Sequence, residues 1–208
     1  MKNCFIMLDA QFLESFDEII FDLDDTLIYE KDYLFAAYLN IAETLGNSNE
    51  EVINMYSYLR NNFVLGNRSR LFNDFINEFG LPNSHLNIMI QLLRSVKING
   101  GLQITVEGKQ ILQILKRKKR EYSIITNGNP IQQANKINQI QWGEYPRPSL
   151  VVYANEFEPK PSPKSFYMVQ CNKGGKALYV GDSEVDKEFA NNAGMFFIRL
   201  KLVKDSYN

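Results

Sequence analysis

Glu18-Ile19-Ile20-Phe21-Asp22-Leu23-Asp24-Asp25-Thr26 decides how the whole chain is read. A short run of Ile and Phe with almost no polar interruption predicts a strand buried on both faces, as in a parallel sheet. It ends abruptly in acidic residues. Working outward, similar runs recur at Tyr122–Ile125, Leu150–Tyr153, Ala177–Val180 and Met195–Leu200. Helical patterns lie between them. Ile111, Leu112 and Leu115 precede the second run, and Asn129-Pro130 reads as a helix start followed by an Ile131, Ala134, Ile137 stripe. Ser162-Pro163 repeats that start signal, and Val185 and Phe189 lie one turn apart ahead of a stop at Gly194. Alternating strands and helices predict an α/β fold with a doubly wound, mostly parallel, Rossmann-like sheet.

One stretch breaks the alternation. Residues 29–98 contain no convincing strand but four amphipathic patterns: Leu34 to Leu45, Val52 to Phe63, Leu71 to Phe79 and Leu86 to Leu93. Breakers separate them at Gly46-Asn47-Ser48, Gly66-Asn67 and Gly80-Leu81-Pro82. The expected organisation is an α/β core from residues 1–28 and 99–208, with an all-helical insertion at 29–98.

Composition narrows the function. The 208 residues carry a net charge of -1 at pH 7, which argues against bulk attraction to nucleic acid or membrane. His85 stands alone, so neither a histidine metal cluster nor a Ser-His-Asp triad can be built. Cys4 and Cys171 have no metal spacing and read as thiols of a reducing compartment. The opening apolar run is too short for a secretory signal, and no run is long enough to span a membrane. A soluble, cytoplasmic protein is expected, a monomer or weak dimer.

Polar residues collect where three strands end: Asp22 and Asp24, then Thr126-Asn127-Gly128-Asn129, then Gly181-Asp182-Ser183 with Asp186 beyond. In open α/β sheets ligands bind outside the carboxyl ends of strands, where the strand order reverses. Asp22, Asp24 and Asp182 brought together would repel and require a cation. Oxygen donors without histidine or thiolate suit a hard ion such as Mg²⁺. Thr126 supplies a hydroxyl, Asn127 and Gly128 supply backbone N–H groups, and Lys160 stands in a proline-framed loop. Carboxylates, a hard metal, a hydroxyl and a lysine compose a site for phosphoryl transfer.

These residues resemble the haloacid dehalogenase-like hydrolase superfamily. Asp22-Leu23-Asp24-Asp25-Thr26 matches its D-x-D-x-T motif, and Ile124-Ile125-Thr126-Asn127-Gly128 its strand ending in Thr or Ser. Lys160-Pro161-Ser162-Pro163 matches its lysine motif, and Gly181-Asp182-Ser183-Glu184-Val185-Asp186 its G-D-x-x-x-D. The set is in order and spans about Ile19 to Leu200, with the helical insertion where the family's C1 cap lies. The resemblance implies Mg²⁺-dependent hydrolysis of a small organic phosphate, such as a sugar phosphate or nucleoside monophosphate. It implies Asp22 as the nucleophile that forms an aspartyl-phosphate and Asp24 as general acid and base. Thr126, Asn127 and Lys160 would bind phosphate. The metal would be held by Asp22, Asp182 and Asp24, the last through its backbone carbonyl. Asp186 would orient Lys160 or a metal-bound water. Arg68 and Arg70 are the insertion's candidates for recognising the rest of the substrate. Alternatives are a phosphomutase on the same site, a 2-haloacid dehalogenase, which Asp24 argues against, and a non-catalytic binding protein. The basic run Lys116-Arg117-Lys118-Lys119-Arg120 is read as a helix end in which cations complement the macrodipole.

Overall fold

The computed structural model describes residues 10–169 and 175–200. Cys4, Cys171 and the opening run of the chain lie outside them. In chain order the elements are α1 (Ala10–Glu14), β1 (Glu18–Phe21), α2 (Glu30–Leu45), α3 (Asn49–Val64), α4 (Leu71–Glu78), α5 (His85–Ser95), α6 (Val106–Lys118), β2 (Ser123–Thr126), α7 (Pro130–Asn138), β3 (Leu150–Tyr153), β4 (Ala177–Gly181), α8 (Glu184–Asn192) and β5 (Phe196–Arg199). Short 3₁₀ turns occupy Ala154–Glu156 and Pro163–Met168. At the second of these an α-helix was expected from Ser162-Pro163. The Ser162 side chain makes no capping bond there, and the turn stays tight and short.

The five strands are all parallel, in the order β3-β2-β1-β4-β5. β2 and β4 are buried throughout, whereas β3 and β5, at the edges, show a mixed pattern. That gradient follows from position, because only inner strands have both faces covered. Ile20, Ile125, Val152, Phe166, Tyr179, Phe189 and Met195 belong to one core cluster. Each large apolar side chain so buried contributes roughly 1.5–3 kcal/mol. α6 buries Ile111, Leu112 and Leu115. α1 buries Leu13, and Phe16 beyond it meets Phe196 edge-on at 5.2 Å. In the basic run, Lys116 pairs with Glu144 at 2.8 Å and Lys118 with Glu14 at 2.9 Å.

The chain forms two compact units. Among the described residues, the α/β unit is built from those up to Tyr29, from Gln103–Gln133, and from those at Ile140 and beyond. The helical unit is Glu30–Leu102 together with Ala134–Gln139. It therefore runs past the expected boundary at 98 and takes in the end of α7. Hydrogen bonds explain this. Gln139 accepts from the Ile98 N–H at 2.7 Å and donates to the Val96 carbonyl at 2.9 Å, while Asn135 also donates to Val96 at 2.9 Å. Within this unit α2 buries Tyr33, Leu34, Ala37, Tyr38, Ile41 and Ala42. The break before α3 is sealed by Ser48, which accepts from the Glu51 N–H at 3.2 Å, while Glu51 accepts from Asn47 at 2.7 Å. Among the described residues, no helix is long and apolar enough to cross a membrane.

Candidate active site

β1 is the middle strand: the chain passes from it to β2 and β3 on one side, then crosses back to β4 and β5 on the other. The crevice that such a reversal creates opens at the carboxyl end of β1. Asp22 stands there, its N–H donating to the Val180 carbonyl at 2.8 Å, which keeps it in register with the sheet. The chain then turns sharply. Asp25 takes a left-handed conformation (φ 51°), and Leu27 and Ile28 both donate backward to the Leu23 carbonyl. Leu23, Leu27 and Ile28 are fully buried and pin the turn, and Thr105 donates to the Thr26 carbonyl at 2.6 Å.

Lys160 reaches the same point from the loop after β3. Its buried Nζ lies 2.6 Å from Asp22 Oδ1, 2.6 Å from Asp186 Oδ1 and 2.8 Å from the Tyr179 hydroxyl. The loop is stapled to the end of β2 by Asn127, whose carboxamide accepts from the Lys160 N–H at 2.8 Å and donates to the Lys160 carbonyl at 3.0 Å. Tyr179 donates in turn to the Ile125 carbonyl at 2.9 Å.

The third arm is the start of α8. Ser183 and Asp186 form a capping box: Ser183 accepts from the Asp186 N–H, and Asp186 accepts from the Ser183 N–H. A Cβ at Gly181 would stand 2.7 Å from the Asp186 carboxyl, so only glycine lets Asp186 fold back against the strand. Carboxylate oxygens of Asp22, Asp182 and Asp186 lie within 4.8 Å of one another. The Asp24 carboxylate, which sequence reasoning placed near the metal only through its backbone carbonyl, is not in this group.

Burial and charge sort these acids. Burial pushes Asp22 up to about 7, with Lys160 opposing and Asp186 and Asp24 adding to the rise. Burial also pushes Asp182 to about 7, reinforced by Asp186 and Asp25. For Asp186, burial acts upward, but Lys160 and the Ser183 bonds outweigh it and hold the group below the ordinary carboxylate value. For Lys160, burial acts downward and is overcome by Asp22 and Asp186, which leaves it above its ordinary value. Lys160 and Asp186 thus form an ionised pair, and ionising Asp22 and Asp182 as well would put three acids around one lysine, more negative charge than it balances. An oxygen-only pair of acids with surplus charge fits a hard divalent cation.

Thr126 closes β2, and its hydroxyl is met by a side chain that sequence reasoning missed. Gln133, 1 % exposed, places its amide nitrogen 2.7 Å from Thr126 Oγ1, 2.8 Å from Asp24 Oδ2 and 2.8 Å from the Asn127 carbonyl. The expected stripe on α7 is corrected accordingly. Ile131 is 64 % exposed, while Gln133 and Lys136 are buried. Of the two expected backbone donors, the Gly128 N–H is committed to Asn155 Oδ1 at 2.8 Å, and the Asn127 side chain is engaged with Lys160. In the helical unit, Arg68 pairs with Glu30 at 2.7 Å and lies 4.0 Å over the Phe63 ring. Arg70 is largely exposed and is 3.9 Å from Asp74.

A parallel sheet thus carries a lysine-bridged cluster of aspartates at its switch point. The chain belongs to the haloacid dehalogenase-like hydrolase family, whose profile matches residues 19–200. No curated protein matches it. Among solved structures, a Thermotoga maritima protein described as a β-phosphoglucomutase is similar at 16 % identity, with a TM-score of 0.63, covering 91 % of this chain and 88 % of that one. The hydrolase YfnB of Bacillus subtilis, bound to magnesium, is similar at 17 % identity and a TM-score of 0.58, covering 89 % and 88 %. CbbY of Rhodobacter sphaeroides, in complex with xylulose-1,5-bisphosphate, is similar at 17 % identity and a TM-score of 0.56, covering 88 % and 85 %. At these identities the likeness is one of fold.

Proposed function

We propose that the protein is a Mg²⁺-dependent phosphomonoesterase that hydrolyses a small organic phosphate through an aspartyl-phosphate. The observation that carries this reading is the contact of Lys160 Nζ with Asp22 Oδ1 at 2.6 Å, inside a cluster that also holds Asp182 and Asp186. A lone structural ion pair needs two partners; this arrangement has three acids for one lysine. Asp22 attacks phosphorus and takes the phosphoryl group, splitting one difficult step into two. Asp24 delivers a proton to the departing oxygen and then removes one from the attacking water. Lys160 and the Thr126 hydroxyl hold phosphoryl oxygens where negative charge is spread in the transition state. Asp186 keeps Lys160 charged and aimed. Asp22, Asp182 and the Asp24 carbonyl would hold the cation, which supplies charge neutralisation and in-line orientation. The helical unit is read as the cap that selects the leaving group. Arg68, fixed by Glu30 and Phe63, is a better candidate there than solvent-facing Arg70.

The test is release of inorganic phosphate from a panel of phosphorylated metabolites, with Mg²⁺ and after exhaustive EDTA treatment. Phosphate released only with the metal is expected. Activity that survives chelation, or an isomerised phosphate ester in place of free phosphate, would overturn the reading, the second in favour of a phosphomutase.

A further inference from the structure

We propose that Gln133 is a positioning residue that holds the Asp24 carboxyl group in the orientation acid–base chemistry requires. The inference rests on the role given to Asp24 above. Three acceptors surround the Gln133 amide nitrogen: Asp24 Oδ2 at 2.8 Å, Thr126 Oγ1 at 2.7 Å and the Asn127 carbonyl at 2.8 Å. The amide must present its nitrogen to them, because the reverse orientation would set its oxygen against a carboxylate and a carbonyl. Room for it is provided by Gly128, at φ +117°, where an added Cβ would stand 3.3 Å from Gln133 Cδ. Burying a primary amide is costly unless its hydrogens are bonded, and an aliphatic side chain would occupy this helix position more cheaply. The bonds link the ends of β1 and β2 through one side chain, so Asp24 and Thr126 keep a fixed separation.

The geometry assigns the proton. With Oδ2 accepting from Gln133, the proton that Asp24 carries as general acid sits on Oδ1. It leaves from Oδ1 to the ester oxygen as the phosphorus–oxygen bond breaks, and Oδ1 later receives a proton from water. Gln133 donates to Thr126 Oγ1, and the Thr126 hydroxyl itself donates to the Asn127 carbonyl at a long 3.2 Å, so it turns from that weak bond to meet a phosphoryl oxygen.

A leaving group that departs readily as an anion gains little from a proton donor, whereas an alkoxide depends on it. Gln133→Met should therefore slow hydrolysis of an alkyl phosphate such as glycerol phosphate at least tenfold more than that of para-nitrophenyl phosphate. In an Asp24→Asn background, Gln133→Met should add nothing to that ratio. Equal losses on both esters, or none, would overturn the inference while leaving the phosphatase reading intact. A wild-type protein that releases no phosphate from either ester with Mg²⁺ would overturn that reading and this inference with it. A second measurement leaves Gln133 unchanged. Its side-chain amide protons, followed by ¹⁵N–¹H NMR, should be protected from exchange and should shift on Asp24→Asn. An exchanging amide that ignores Asp24→Asn would overturn the inference even if Gln133→Met fails to fold.

Discussion

Replacing Asp22 with Asn should abolish turnover and, in the metal-free protein, raise stability. The two effects have one cause. In the fold Asp22 ionises at about 7, against an ordinary 3.8. The folded protein therefore holds this proton more tightly than the unfolded chain does. The stability Asp22 contributes is fully present below about pH 4 and is lost as pH rises through about 7. Each tenfold change in proton affinity is worth about 1.4 kcal/mol. Relative to strongly acid solution, the difference in proton affinity thus costs the fold on the order of 4 kcal/mol near pH 8, where folded Asp22 is ionised, and roughly 2 kcal/mol near pH 5, where only the unfolded chain has ionised it. Asparagine keeps the shape, still accepts a hydrogen bond from Lys160 and never ionises. Any pH-independent change cancels when two pH values are compared, so the variant's advantage should widen by about 2–3 kcal/mol between pH 5 and pH 8. For a chain of this size that is roughly 5–10 °C in melting temperature. The assay is thermal melting in EDTA at several pH values, followed by circular dichroism, with phosphate release measured in parallel. Added Mg²⁺ should lift the wild type near pH 8 more than the variant, since the cation compensates a charge that only the wild type carries. A melting difference that stays constant with pH, or a variant that hydrolyses phosphate esters, would refute the reasoning.

Gly181→Ala should move Asp186, because the new Cβ would stand 2.7 Å from its Cβ and carboxyl atoms. A loss of about 1–3 kcal/mol in thermal melts and at least a tenfold fall in kcat are expected. Lys160→Met should leave Asp22 and Asp186 without their shared cation. Destabilisation on the order of 3–5 kcal/mol is expected near neutral pH, falling as the acids protonate in more acidic melts. Arg68→Ala should raise KM about tenfold for the best substrate of a metabolite panel and leave para-nitrophenyl phosphate nearly unchanged, whereas Arg70→Ala should move neither. Equal effects on the two esters would return Arg68 to a purely structural role.

The sheet was legible because its signal is local. A strand buried on both faces must be nearly continuously apolar, which the inner runs beginning near Glu18, Tyr122 and Ala177 are, and the edge runs near Leu150 and Met195 share the bias although they are only partly buried. The strand order is not local, but the polar residues at the ends of β1, β2 and β4 only make sense as neighbours, which points to β1 in the middle. The limit of the helical unit was not legible. Gln139 ties the end of α7 to Val96 and Ile98 through hydrogen bonds across some forty residues, and no composition break marks them.

The site divides along the same line. Asp22, Lys160, Asp182 and Asp186 stand in motifs, so their types and spacing carry the chemistry. Gln133 and Tyr179 do not, and each was hidden by a rule that ordinarily works. Tyr179 sits in an apolar strand and passes for core, although its hydroxyl receives Lys160 Nζ at 2.8 Å and donates to Ile125. In α7, apolar periodicity predicts Ile131 on the buried face, and the fold instead exposes Ile131 and buries Gln133. Periodicity reads burial through hydrophobicity, so it fails where a helix turns polar side chains inward to meet polar partners. Such a failure is informative. An amide three bonds deep among Asp24, Thr126 and Asn127 is stable only because those partners are there, and two of them are residues to which the chemistry assigns a task. The position where the pattern breaks is therefore the position where packing gives way to the requirements of the reaction.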